Sequence, residues 1–243
     1  MCIRRATPND LPSLADIAAQ AMLHDELFIH LCPHRHTYYA DFRSAFLRRL
    51  RMRLHTPGYV MLVAVESGSE SEHNGDLRGE RVRGYAVWSR RGDSPAATQW
   101  QNENGSSWWN ALERTLLAIE DRYYALVSPD RSLDPVRLDR YLQACATGYD
   151  FAALPELWFL ATVAVDPRHQ RRGFGRSLVR WGLDRANEER IPVGLEASRQ
   201  GLALYEGLGF RAVASAMGEV VPGLEVPAML WEPESADPCN SDV

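Results

Sequence analysis

Residues 157–176, Leu-Trp-Phe-Leu-Ala-Thr-Val-Ala-Val-Asp-Pro-Arg-His-Gln-Arg-Arg-Gly-Phe-Gly-Arg, constrain this chain more than any other stretch. An apolar run from Leu157 to Val165 stops at Asp166-Pro167. It passes through Gln170-Arg171-Arg172-Gly173-Phe174-Gly175-Arg176 and enters a helix-like segment over 177–190. The pattern predicts a buried strand, a tight turn and a glycine-opened helix. At such a start the first backbone N–H groups have no partner and the helix dipole is positive, so a phosphate is favoured there. Gly173 and Gly175 remove the side chains that would hold backbone and phosphate apart. Neighbouring arginines add charge that phosphate oxygens accept bidentately.

Two common phosphate loops are excluded by spacing. A dinucleotide fingerprint needs glycine where this chain has Leu178, and no Gly-Lys-Ser/Thr follows for a nucleotide-triphosphate loop. What fits is Gln-x-x-Gly-x-Gly after a Val-x-Val-x-Pro strand end. That pattern resembles motif A of the GNAT acyltransferase superfamily, which holds the pyrophosphate of an acyl-coenzyme A. Downstream, Leu204-Tyr205-Glu206-Gly207-Leu208-Gly209-Phe210 resembles the Leu-Tyr-x-x-x-Gly-Phe motif of the same superfamily. The resemblance is specific over about 157–213, looser over 1–90 and absent over 92–156.

It implies an α/β fold: a GNAT-like mixed, mostly antiparallel central sheet with helices on both faces. Residues 92–156 would form a helical insertion between the third and fourth strands. Residues 1–233 would be one N-acetyltransferase domain, with 234–243 a flexible tail.

The resemblance also assigns roles. The motif strand splays from the next at Val163-Ala164-Val165, pairs its backbone with the pantetheine arm and polarises the thioester through an N–H. Gln170, Arg171, Arg172, Gly173, Phe174, Gly175 and Arg176 surround the pyrophosphate. Tyr205 matches the tyrosine that protonates the departing thiolate; a phenol has the right order of pKa. Ser198 stands where many members carry asparagine, and a serine can still bond the coenzyme arm. The transfer needs a neutral acceptor nitrogen and a polarised carbonyl, and direct attack needs no protein nucleophile. Glu196, at the C-terminal end of the neighbouring strand, is the candidate base or water relay, with a structural hydrogen bond or salt bridge as the alternative. His24, Asp25 and Glu26 follow the first helix, where the resembled fold lines the acceptor site. His34 and His36 lie beside one cysteine without a second ligand pair, so no metal is expected.

Elsewhere the chain is ordinary. It has 243 residues, 45% hydrophobic and 24% charged, enough for a full core. A formal charge of −5 argues against a nucleic-acid partner. Cys2, Cys32, Cys145 and Cys239 are widely spaced and form no C-x-x-C pair, which fits reduced thiols in the cytoplasm or nucleus. The chain opens with no charged-then-apolar leader, and no apolar run nears a membrane span. It has no lysine, so all 27 basic residues are arginine. Codon usage accounts for this, and so does the advantage to an acyl-transfer enzyme of carrying no self-acylatable side-chain amine.

Helical spacing is read for Leu14 to about Leu23, for Tyr38, Phe42, Phe46, Leu50 and Leu54, for 107–127 and for 135–146. Along 107–127, Trp109, Leu112, Leu116 and Ile119 share one side. Arg43, Arg48, Arg49, Arg51 and Arg53 read as a solvated face. Residues 59–66 and 81–89 form a hairpin, 91–105 reads as a polar, breaker-rich connection, and 193–197, 210–220 and 225–231 read as strands. Acetyl-coenzyme A is the expected co-substrate, and a small-molecule amine the expected acceptor. Protein N-acetylation remains open, as does a non-catalytic acyl-coenzyme A binding or sensing module.

Overall fold

Val60, Leu62 and Ala64 pack into one core cluster, and Met61, Val63 and Val65 into another. An apolar strand whose alternate residues feed two cores must be covered on both faces. The computed structural model, which describes residues 1–67, 80–105, 108–146, 149–216 and 226–233, has that arrangement. In chain order the elements are β1 (Cys2–Arg5), α1 (Leu11–Ala21), α2 (Glu26–Leu31), α3 (Tyr39–His55), β2 (Tyr59–Ser67) and β3 (Glu80–Arg91). Then come α4 (Pro95–Gly105), α5 (Trp108–Val127), α6 (Pro135–Ala146), β4 (Leu157–Val165), α7 (Phe174–Glu189), β5 (Val193–Glu196), α8 (Leu202–Glu206), β6 (Arg211–Ala216) and β7 (Val226–Trp231). They form one seven-stranded sheet in the order β1-β2-β3-β4-β5-β7-β6. Only β4 and β5 pair in parallel; every other neighbouring pair is antiparallel. The mixed, mostly antiparallel sheet with helices on both faces is as expected.

One face is covered by α1 and α3, whose Leu14, Ala18, Phe42 and Phe46 pack on Met61, Val63, Tyr85 and Val87. The other is covered by α7, whose Leu178 and Val179 pack with Trp88 and Trp158. The close approach of α7 depends on Gly182, where a Cβ would lie 2.2 Å from the Trp88 ring.

The 91–105 reading is corrected, because all but its first four residues form α4. Ser94 stands just before Pro95, and its hydroxyl accepts from the Ala97 N–H at 3.2 Å. That is a capping serine with proline at the first helical position, a signal present in the sequence. Glu156 fixes the same turn, accepting from the N–H groups of Asp93 and Ser94 at 3.0 and 2.8 Å. Trp100 of α4 then packs edge-on against Trp158 and Trp181. A buried ion network lies below: Arg90, its side chain 1% exposed, pairs with both Glu156 and Glu189. Glu189 also accepts from the indole N–H groups of Trp100 and Trp158 at 3.1 and 3.0 Å.

Two other readings change. The arginine face of α3 is not a solvated one. Arg43 pairs with Asp16 of α1, while Arg48 and Arg51 pair with Asp121 and Glu120 of α5. The apolar side of α5 is real but points outward, with Trp109, Leu112, Leu116 and Ile119 at 40–61% exposure and Leu117 buried instead. The connection at 68–79, the turn between β6 and β7 and the tail at 234–243 lie outside the described residues.

Candidate active site

Strand β4 has two halves. Trp158, Phe159 and Leu160 pair in parallel with Val193, Gly194 and Leu195. Beyond Leu160 that pairing stops, while β3 stays paired to β4 as far as Val165. The register on the β3 side shifts at Ala161, between Leu160 opposite Trp88 and Thr162 opposite Val87. This extra residue is a bulge, which bends a strand and sharpens its twist. Meanwhile β5 stays with β7 through Glu196, opposite Ala228. The two strands therefore part, and the backbone of 161–165 facing β5 has no ladder partner there.

At the end of the open half, Asp166 ties a short 3-10 turn (Pro167–His169), accepting from the Arg168 N–H at 3.0 Å. Gln170 donates to the Val165 carbonyl at 3.3 Å and accepts from Gln200 at 3.3 Å. Gly173 then begins α7 at φ +89°, a left-handed conformation suited to glycine, with no side-chain cap. A Cβ placed on Gly173 would meet nothing within 4 Å, so the turn opens onto free space.

A cavity of about 570 Å³ lies over this turn. Its walls take in Val163, Ala164, Val165, Gln170, Arg171, Gly173, Phe174, Gly175, Arg176, Ser198 and Tyr205. These are the residues singled out for coenzyme contact, with Arg172 the exception. Arg172 is exposed and forms no part of the wall. Arg171, at φ +63°, and Arg176 face the cavity instead.

A second cleft of about 350 Å³ also has Tyr205 in its wall. Both cavities share Met22, Asp25, Val163, Ser198 and Tyr205, so they meet at those side chains. Tyr205 is 6% exposed and packs edge-on against Phe210. Burial raises its phenol above the ordinary value, which keeps it protonated. Glu196 lines the second cleft. Glu196 is exposed at the end of β5, yet desolvation by its neighbours raises its carboxyl pKa, an effect that the Arg91 charge partly offsets. Of the three residues after the first helix, Asp25 and Glu26 line the cleft and His24 does not. His24 is exposed, its ring 6.0 Å from that of His36. Asp25 caps α2 by accepting from Leu27 and Phe28 N–H, and burial raises its pKa.

The motifs gave no sign of the other cleft residues. Arg49 and Arg53 come from α3, Tyr59 from β2, Tyr85 and Arg91 from β3, and Tyr141 from α6. Arg53 donates to the Thr162 hydroxyl at 2.9 Å, and its guanidinium lies 5.9 Å from the centre of the Tyr59 ring. Burial, and then the Arg49 charge, lower its pKa from the ordinary value. The only sequence signal for Arg49 and Arg53 is their i, i+4 spacing beside the buried Phe46 and Leu50. A larger cavity, about 730 Å³, continues beneath α5 and α6 and shares Phe28, Phe46, Arg49, Arg53 and Tyr59 with the cleft. Among the described residues no group of three His, Cys, Asp or Glu is placed to hold a metal, and no helix is long and apolar enough to cross a membrane.

The sheet parts at its parallel step beside a glycine-opened helix, the arrangement that the motif resemblance implies. Residues 94–210 match the model of the acetyltransferase (GNAT) family. The match begins inside the segment over which no motif resemblance was legible. An acetyltransferase from Stachybotrys chartarum is 26% identical over 212 residues, 87% of this chain and 80% of its own. A probable acyltransferase from Ajellomyces capsulatus is 34% identical over 73 residues, 28% of this chain and 54% of its own. The crystal structure of histone acetyltransferase HPA2 and related acetyltransferase from Corynebacterium glutamicum shares the fold, with a TM-score of 0.55, 19% identity and 97% coverage of each chain.

Proposed function

We propose that this chain moves an acetyl or other short acyl group from acyl-coenzyme A to the amine of a small molecule by direct attack. The observation that carries the reading is the meeting of two cavities at Asp25, Val163, Ser198 and Tyr205. One is walled by backbone and arginine at a helix start, and the other by titratable side chains. The open space at Gly173 and the uncapped start of α7 suit a pyrophosphate. The unpaired backbone of 161–165 suits an extended pantetheine arm, added as a strand is. Tyr205, kept protonated by burial, donates to the thiolate that leaves. Glu196, whose pKa is raised, takes the proton of the acceptor ammonium or of a water beside it. Cavities of about 350 and 730 Å³ fall within the ordinary range for small-molecule sites.

The test joins binding to turnover. Acetyl-coenzyme A should raise the melting temperature of the purified protein, since a ligand of the native state stabilises it by mass action. Free coenzyme A should then be released with members of an amine panel. The rate should rise with pH through a value above the ordinary carboxylate range, because Glu196 acts as a base only when ionised. Glu196→Gln should remove that limb. Binding without turnover for any amine would turn the reading into that of a binding or sensing module.

A further inference from the structure

Five arginines of α3 divide into two sets. Arg43, Arg48 and Arg51 each have a carboxylate partner on a neighbouring helix. Arg49 and Arg53, one turn apart, have none among the described residues. Arg53 has only the Thr162 hydroxyl and the Tyr59 ring, and Arg49 has the Phe46 ring at 5.9 Å. Arg91 of β3 lines the same cleft. It lies over Phe159 at 4.1 Å and, among the described residues, has no carboxylate within ion-pair distance, the Glu196 charge acting on it from further away. Cations held together in a half-buried cleft repel one another and lose hydration, a cost the fold normally offsets with a carboxylate.

The cleft's own carboxylates form no ion pair with Arg49 or Arg53. Asp25 is engaged by the N–H groups of Leu27 and Phe28, and Glu26 reaches Arg199 at 3.6 Å. Glu196 lies at the end of β5, next to the junction residues Ala197 and Ser198. The cleft is therefore cationic along α3 and anionic where it meets the coenzyme cavity.

We propose that the acceptor is an amine carrying its own carboxylate, with the carboxylate held by Arg49 and Arg53 and the amine directed toward Glu196 and the junction. This deepens the acyl-transfer reading and rests on it. Two guanidiniums at i, i+4 present several donors to one carboxylate, which no neutral amine can use. An apolar body on the acceptor would extend into the larger cavity through Phe46 and Tyr59, which line both spaces.

The test uses matched pairs: L-phenylalanine and L-phenylalaninamide, L-leucine and L-leucinamide, 4-aminobutyrate and 4-aminobutyramide. Release of coenzyme A is followed at saturating acetyl-coenzyme A. The amides of the two α-amino acids have the less basic nitrogen, so intrinsic reactivity works against the expected result. We expect at least one acid to exceed its amide by about tenfold or more in kcat/KM, the scale of a charge-assisted pair. In Arg53→Gln and Arg49→Gln that ratio should fall toward one, through the KM of the acid. Amides used as well as acids would overturn the proposal and leave acyl transfer standing. If no pair turns over, calorimetry of the three acids onto the coenzyme A-loaded protein decides. Binding lost in Arg53→Gln supports the proposal, and no binding of any acid overturns it. Failure of acetyl-coenzyme A itself to bind would break the underlying reading, and the proposal with it. The melting temperature separates a positioning role from a structural one. Arg53→Gln without ligand should be at least as stable as the parent, whereas a variant that melts earlier and keeps the acid preference would show the arginine to be structural.

Discussion

The two cavities that meet at Tyr205 are built in different ways. The cavity over the helix start is made largely by one short stretch, 163–176, closed by 198–205, and its main features are backbone: an unpaired strand edge, a left-handed glycine and an uncapped helix start. The cleft beside Glu196 draws residues from α2, α3, β2, β3, β4, β5, α6, α8 and β7, with at most five from any one. Backbone geometry follows from local rules and recurs wherever the ligand recurs. Side chains gathered from nine elements can be exchanged singly, so this is where one fold can serve many acceptors.

Tyr205 borders both cavities, so changing it gives the largest expected effect and tests whether they are separable. Tyr205→Phe should lower kcat by about 10²–10⁴-fold, the usual range for a lost general acid, with coenzyme affinity nearly intact. Full kcat at every pH, where chemistry is shown to limit the rate, would make the tyrosine a packing residue shared by two walls.

Gly173→Val comes next and should act on one side only. The position is open in space but left-handed in backbone, so a branched residue is strained there and intrudes on the turn. Coenzyme affinity by calorimetry should fall by well over about tenfold. The ratio between acceptors should not change. Unchanged affinity in a folded variant would remove the helix start from the coenzyme site.

The smallest effect sharpens the comparison within the coenzyme side. Arg176→Ala should weaken coenzyme binding by about 1–3 kcal/mol, because Arg176 is part of the wall. Arg172→Ala should stay within about 0.5 kcal/mol, as for an ordinary surface substitution. Equal losses in the two would mean that general positive charge matters there and position does not.

The same contrast explains what was legible in the chain. Gly173, Gly175, Gln170 and the strand before them could be read because their spacing encodes a backbone path. Tyr205 was legible because its motif is contiguous. Arg53 was read as solvated because its surroundings, Thr162 and Tyr59, come from other strands. Arg51 was read the same way, and its partner Glu120 lies 69 residues along the chain. Helix α4 was missed although Ser94-Pro95 announced it, since its apolar anchors are only Ala97 and Trp100, the latter packed on the far side of the sheet from α3. The outward apolar side of α5 had correct periodicity. Periodicity gives a stripe its spacing but not its partner.

The division of β4 at Ala161 has a consequence for how this strand trades protons with solvent. From Trp158 to Leu160 the strand is laddered on both sides within the core, so its amide hydrogens should exchange with deuterium only when the whole domain opens. From Thr162 to Val165 only the β3 side is laddered. Successive amides point to opposite sides, so exchange there should alternate, slow then fast, with a period of two residues. An extended ligand pairing along the open edge would slow the fast amides and leave the slow ones as they were. A single strand would then carry, residue by residue, a record of which of its hydrogen bonds belong to the fold and which are kept for a visitor.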